Sequence, residues 1–322
     1  MKAQSKAPTA TKSFSCWLVA LTMAASILAG CQKAPKKPSP IDQVLTPPAG
    51  GQPPQAQTNL PPPTPEPGEP VKIGLILGPG GLKSLAHIGV LREFEKANIR
   101  IHSVVGLEWG ALIAAAYSVK GKTNDAEWQL GKLKKADLPE KALLSTEITP
   151  VSIRTLAPYL DSVFANRTIE SGDLPFACPT LMLENGKIAW WERGSYSTVL
   201  QKCVPYPPMY EANGNWLAAA FRVEDAAQKL RERGANVIVF VNVLARGQIL
   251  KGRKVRSQDA IEALWWDGVH HLGDSAKSVD WVVGIHTRNY DIMDFDARQS
   301  LVLFGQEFGA QAAKRIADVH GF

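Results

Sequence analysis

Lys72-Ile73-Gly74-Leu75-Ile76-Leu77-Gly78-Pro79-Gly80-Gly81-Leu82-Lys83-Ser84-Leu85-Ala86-His87-Ile88-Gly89-Val90-Leu91 is the stretch on which the fold turns. Val71 to Leu77 is a near-continuous apolar run, and Gly78 to Gly81 interrupt it. From Ser84 to Ala97 the apolar residues Ile88, Leu91 and Phe94 recur at helical spacing. The order is strand, glycine loop, helix. It repeats at once: Ile101 to Val105 is a second apolar run, Gly106-Leu107-Glu108-Trp109-Gly110 turns the chain, and Ala111 to Val119 is a short apolar helix. Unbroken apolar strands alternating with helices predict an α/β domain whose central sheet is mostly parallel and covered on both faces. Two nucleotide-binding loops are excluded. A P-loop needs glycine where Leu82 stands, and a dinucleotide fingerprint needs glycine at Lys83.

Further along, Pro175 to Glu184 and Lys187 to Glu192 flank Asn185-Gly186, the signature of a hairpin. Val223 to Arg233 reads as a polar-faced helix, Ala235 to Val243 and Trp281 to Ile285 as strands, and Gln299 to Val319 as a closing helix. No internal repeat is visible.

The stretch from Lys72 to Leu91 resembles the opening of the patatin-like phospholipases. In that family a glycine-rich loop with a basic residue, followed by a helix beginning Leu-Ala-His-Ile-Gly-Val-Leu, forms the oxyanion hole. Backbone N–H groups must point at a developing oxyanion, and glycine allows the close approach. Gly80, Gly81 and Lys83 match that loop; Pro79 departs from it, having no N–H to donate, and so does Ser84, where the pattern carries glycine. The resemblance implies a three-layer α/β/α patatin-like fold over residues 71–322, closest in the first fifty residues. It also places a Gly-x-Ser-x-Gly elbow at Gly106 to Gly110, a tight turn that holds a nucleophilic serine over the sheet. Both glycines are present, but the nucleophile position is Glu108. The family's general base is the aspartate of an Asp-Gly-Gly or Asp-Gly-Ala motif, and the matching position is read as Asn213, whose amide cannot take a proton.

No catalytic residue is therefore intact. Loss of nucleophile and base together removes about 10⁶ in rate, with about 10³ over water left to an oxyanion hole. The expected function is a non-catalytic pseudoenzyme that binds an acyl lipid or a protein partner. The alternatives are an atypical acyl hydrolase, a phospholipase or esterase of lipid metabolism using Glu108 or another serine, and a structural envelope lipoprotein. No cofactor is expected, and the scattered histidines, with His270 and His271 adjacent, suit no metal site.

The N-terminus bears on location. Lys2, Lys6 and Lys12 precede an uncharged apolar run from Ser13 to Gly30, which closes on Leu28-Ala29-Gly30-Cys31. The order of charge, apolar run and small residues is that of a secretory signal. Its close resembles a bacterial lipobox, which implies a signal peptide over 1–30, a diacylglyceryl group on Cys31, and a membrane anchor without a spanning helix. Gln32 after the cysteine implies the outer membrane in a Gram-negative host. Residues 31–70 are rich in Pro, Gln, Thr and Gly and read as a disordered tether. Cys178 and Cys203 remain, and pairing or two buried thiols are both open.

The 322 residues are 45% hydrophobic, enough for one substantial core. The formal +6 falls to +3 when the three leader lysines are set aside, 33 basic against 30 acidic. With no basic stripe interleaved with aromatics, nucleic acid is excluded as the expected partner.

Overall fold

A computed structural model describes residues 69–139, 150–244, 260–287 and 289–322. The signal segment 1–30, Cys31 and nearly all of the tether lie outside the described residues.

The chain opens with β1 (Ile73–Leu77), then a 3₁₀ turn over Gly81–Leu85 that runs into α1 (Ala86–Lys96). β2 (Ile101–Gly106) leads through the elbow into α2 (Trp109–Ser118), followed by α3 (Thr123–Leu130) and α4 (Ala157–Phe164). β3 (Phe176–Met182) and β4 (Ile188–Trp191) come next, then α5 (Tyr196–Cys203) and the short β5 (Trp216–Ala218). α6 (Val223–Glu232), β6 (Val237–Asn242), α7 (Ala260–Ser275), β7 (Trp281–Gly284) and α8 (Arg298–His320) complete the chain.

The strands form one sheet in the order β4-β3-β2-β1-β6-β7, with β5 also paired to β3. β1 pairs in parallel with both β2 and β6, β2 with β3, and β6 with β7; only β4 and β5 run antiparallel, each against β3. Helices cover both faces, giving the expected α/β/α layers with a mostly parallel sheet. The central strands explain the continuous apolar runs: all of Ile73–Leu77 and all of Val237–Asn242 are buried. A strand buried on both faces has no polar side to alternate with.

The expected hairpin forms about Asn185-Gly186, with Met182 N–H donating to Lys187 O at 2.8 Å and Gly186 at φ 70°. Its far side is tied down covalently, because Cys178 in β3 is bonded to Cys203 at the end of α5, with Cα atoms 6.1 Å apart. Of the two arrangements open to these cysteines, the structure adopts the disulfide.

β1 is where the sheet order reverses, with β2 on one side and β6 on the other. Open parallel sheets place their sites beyond the carboxyl ends of the strands at such a reversal. The glycine loop leaves β1 there, and the elbow leaves β2 beside it. The long α8 lies along α1. A Cβ built on Gly305 would stand 1.8 Å from Ala86 O, and one on Gly89 2.1 Å from Val302 O, so the two helix backbones touch. Among the described residues no helix is long and apolar enough to cross a membrane.

Candidate functional site

Glu108 sits between β2 and α2 with φ 53° and ψ −125°, a conformation that residues with a Cβ adopt rarely and at a cost of about 1–3 kcal/mol. It is the strained strand-to-helix turn of a nucleophile elbow. Leu107 N–H donates to Leu77 O, and the N–H groups of Gly110 and Ala111 donate back to Leu107 O and Glu108 O, all at 2.9 Å. The flanking glycine is needed for packing: a Cβ on Gly110 would lie 2.2 Å from Leu77 O, and α2 could not seat against the end of β1. α2 therefore begins at Trp109, two residues before the apolar pattern alone suggests.

The glycine loop faces the elbow. The N–H groups of Gly80 and Gly81 both donate to Glu108 Oε2, at 2.9 and 3.0 Å. These two donors are the ones an oxyanion hole would offer, so the absence of an N–H at Pro79 does not disable the loop. Gly81 holds φ 54°, and its Cβ position is closed by Ile292 O at 2.5 Å and Met209 Sδ at 3.0 Å. Glu108 is 1% exposed. Burial drives its carboxyl up from 4.5 to about 7, against the pull of the N–H groups of Gly80, Trp109 and Gly81.

The surrounding groups are buried and aromatic. Trp109 is fully buried and stacks on Tyr210, with centroids 6.5 Å apart. Burial, and after it the Glu108 carboxylate, pushes up the phenols of Tyr206 and Tyr210. Lys83 of the loop is buried; burial lowers its amine to about 8, and the nearby Asp291 carboxylate opposes that shift. His87 is also buried, and burial takes its imidazole down to about 4, so it is neutral at pH 7. Its Nε2 lies 2.9 Å from Gly78 O, an acceptor only, which puts the ring proton on Nε2. Ser84 Oγ donates to Gly78 O at 3.5 Å and does not cap α1, and Ser103 Oγ on β2 is buried with no hydrogen-bond partner among the described residues.

The structure brings together Glu108, Gly80, Gly81, Gly106 and Gly110. Asn213 is held by other partners. Asn213 closes a turn with Trp216, N–H to O in both directions at 2.9 and 3.2 Å, and its Nδ2 donates to Gln201 O at 2.9 Å. No hydrogen bond joins it to Glu108 among the described residues.

Thr180 and Leu181 of β3 pair with β4 and with β5, so those two strands occupy opposite edges of β3. β2 also lies opposite β4, and it pairs with β3 only at Phe176 and Ala177. β5 thus continues along β2's edge and runs back toward the end of β2. Its last residue and the two that follow, Ala218-Ala219-Ala220, are all buried and lead into α6. Three small buried residues therefore stand between β5 and α6, on the edge of β3 where β2 lies. Neither Asn213 nor Ala218 can accept a proton.

The aspartates near the C-terminus serve turns. Asp291 Oδ1 accepts from Met293 N–H at 2.8 Å, and Asp294 Oδ1 accepts from Ala297 N–H at 3.2 Å.

Against known proteins, a family model described as patatin-like phospholipase matches residues 75–262. An uncharacterized NTE family protein of Mycobacterium tuberculosis is 25% identical over 153 residues, 46% of this chain and 42% of that protein. The lysophospholipase NTE1 of Coccidioides immitis is 26% identical over 183 residues, 53% of this chain and 11% of that protein. The chain thus spans less than half the length of these curated relatives. Among solved structures, VipD from Legionella pneumophila aligns with a TM-score of 0.46 at 11% identity, over 78% of this chain and 67% of that one.

Proposed function

The chain belongs to the patatin-like phospholipase family, a family of lipid-hydrolase type, and from that premise we propose that this member no longer cleaves esters and acts by binding. One observation carries the reading: Glu108 Oε2 accepts the Gly80 and Gly81 N–H groups that would otherwise meet a substrate's developing oxyanion. A substrate carbonyl can reach those donors only by expelling a buried side chain. Glu108 stands in place of the elbow serine, and in this reading Ala218, the first of three small buried residues ahead of α6, holds the place of the base and cannot take a proton.

The same reading extends to location. The leader ending at Cys31 supports a lipid-anchored envelope protein, on the outer membrane facing the periplasm or the surface in a Gram-negative host. The Cys178–Cys203 disulfide supports an oxidising compartment. In this role the Pro-rich segment to residue 70 spaces a binding domain from the bilayer, and the ligand is an acyl lipid or a protein.

The test compares the full chain with two variants on nitrophenyl esters and phospholipid, together with a fluorophosphonate probe. The parent is expected to show no turnover and no label. Glu108→Ser alone is expected to remain inactive, because no base follows it, whereas Glu108→Ser combined with Ala218→Asp is expected to take the label and release nitrophenol. Turnover by the parent that Glu108→Ala abolishes would refute the reading and establish a carboxylate-dependent hydrolase instead.

A further inference from the structure

With the hole beside the elbow filled, a ligand needs another site, and one stands on the outer layer. A groove of about 470 Å³ lies between α1, the end of α3 and α8. That volume is within the ~300–1,000 Å³ of small-molecule sites, which are mostly apolar with a few placed polar groups. It is lined by Leu85, Ile88 and Arg92 on one side and Arg298, Val302 and Leu303 on the other, beside the close crossing of α1 and α8 at Gly89 and Gly305. Leu85, Ile88 and Leu130 are buried in its lining, and Leu303 forms a lip that is 64% exposed.

The charges along it are unequal. Arg92 of α1 and Glu127 of α3 form an ion pair across one side and cancel. Arg298, at the start of α8, is exposed, has no acidic partner among the described residues, and holds its guanidinium 4.7 Å from the Phe295 ring centroid. The groove therefore presents a mostly apolar trough with the Arg298 cation at its rim. A concave, mostly apolar lining with few polar groups suits an acyl chain, and a guanidinium suits a carboxylate.

We propose that this groove binds a single-chain anionic amphiphile, a long-chain fatty carboxylate, with its chain along Ile88, Leu130 and Leu303 and its head on Arg298. The site is separate from the elbow and does not depend on whether Glu108 can catalyse.

The test is photolabelling of the full chain with a diazirine-bearing palmitate, with the labelled peptides mapped by mass spectrometry. Label is expected within residues 85–92, 127–133 or 295–306. Arg298→Gln is expected to raise the half-saturating concentration about tenfold, the loss of one charge-assisted hydrogen bond. The diazirine palmitate methyl ester, which has no anionic head, is expected to be weaker on the parent by the same factor, and Leu303→Asp to abolish groove labelling. Both substitutions fall on exposed positions, and unchanged melting of each variant shows that the fold is kept. Label confined to residues 106–110 or to the leader would overturn the site. Equal labelling by acid and ester, or by parent and Arg298→Gln, would overturn the head-group assignment. Groove labelling seen only with a diazirine phospholipid embedded in phosphatidylcholine vesicles would replace the proposed ligand with a bilayer.

Discussion

The pH dependence of stability should carry the mark of Glu108, and Glu108→Gln isolates it. The carboxyl is 1% exposed and its folded value is raised from 4.5 to about 7. A raised folded value means that the native state holds this proton more tightly than the unfolded chain does. The group's contribution is therefore fully present below about pH 4.5, falls as pH rises toward 7, and is lost above it. At 1.36 kcal/mol for each tenfold change in proton affinity, the interval corresponds to about 3 kcal/mol. Glutamine keeps an acceptor for the Gly80 and Gly81 N–H groups but does not titrate, so the difference between parent and variant cancels every other titrating group. Urea unfolding at a series of pH values from 4 to 8.5 gives that difference directly. Parent minus Glu108→Gln is expected to fall by about 3 kcal/mol across the series, most steeply between pH 5 and 7. A flat difference would mean that the side chain is hydrated and not buried. A rising difference would mean that the backbone donors outweigh burial and hold Glu108 as a carboxylate at all working pH. Either result refutes the balance described for this site.

Two further outcomes test the packing around it. Gly305→Ala places a Cβ 1.8 Å from Ala86 O in a contact between two helix backbones; a loss of at least about 3 kcal/mol in chemical unfolding is expected, since no rotamer can relieve a backbone clash. Cys203→Ser opens a bond between residues 25 apart and should cost about 3 kcal/mol by the chain-entropy estimate. The parent's thermal midpoint should fall toward the variant's when a reductant is added, and the variant's should not move.

The parts of the fold legible in the sequence are those whose pattern is local and repeated. β1, β2, α1 and α2 could be read because a buried parallel strand is apolar at every position and because glycine stands where the backbone turns sharply. α3 and α4 were missed because each has eight residues and buries only a few side chains. β5 was missed because three residues cannot display a period. Asn213-Gly214 resembles Asp-Gly in composition, and the structure closes it as a turn onto Trp216. Only the pairing of β5 with β3 puts Ala218 on the edge of β3 where β2 lies. Trp216-Leu217 running into three alanines before a helix was the available signal. The elbow itself was readable from Gly106 and Gly110. Where the Glu108 carboxylate goes was not, because its partners are backbone groups 27 and 28 residues away, and backbone N–H groups leave no trace in side-chain identity.

A glycine loop that aims two amide hydrogens at an elbow without a serine poses a standing problem. Amide hydrogens aimed inward need something to receive them, and a working hydrolase leaves that task to solvent between one substrate and the next. Here Gly80, Gly81 and Glu108 are all buried, away from bulk solvent. Glu108 resolves this by being a permanent occupant, an internal product mimic tethered by its own backbone. Glycine at the same position would relax the turn and leave both amides stranded; the unfavourable dihedral is the cost of a guest that never departs.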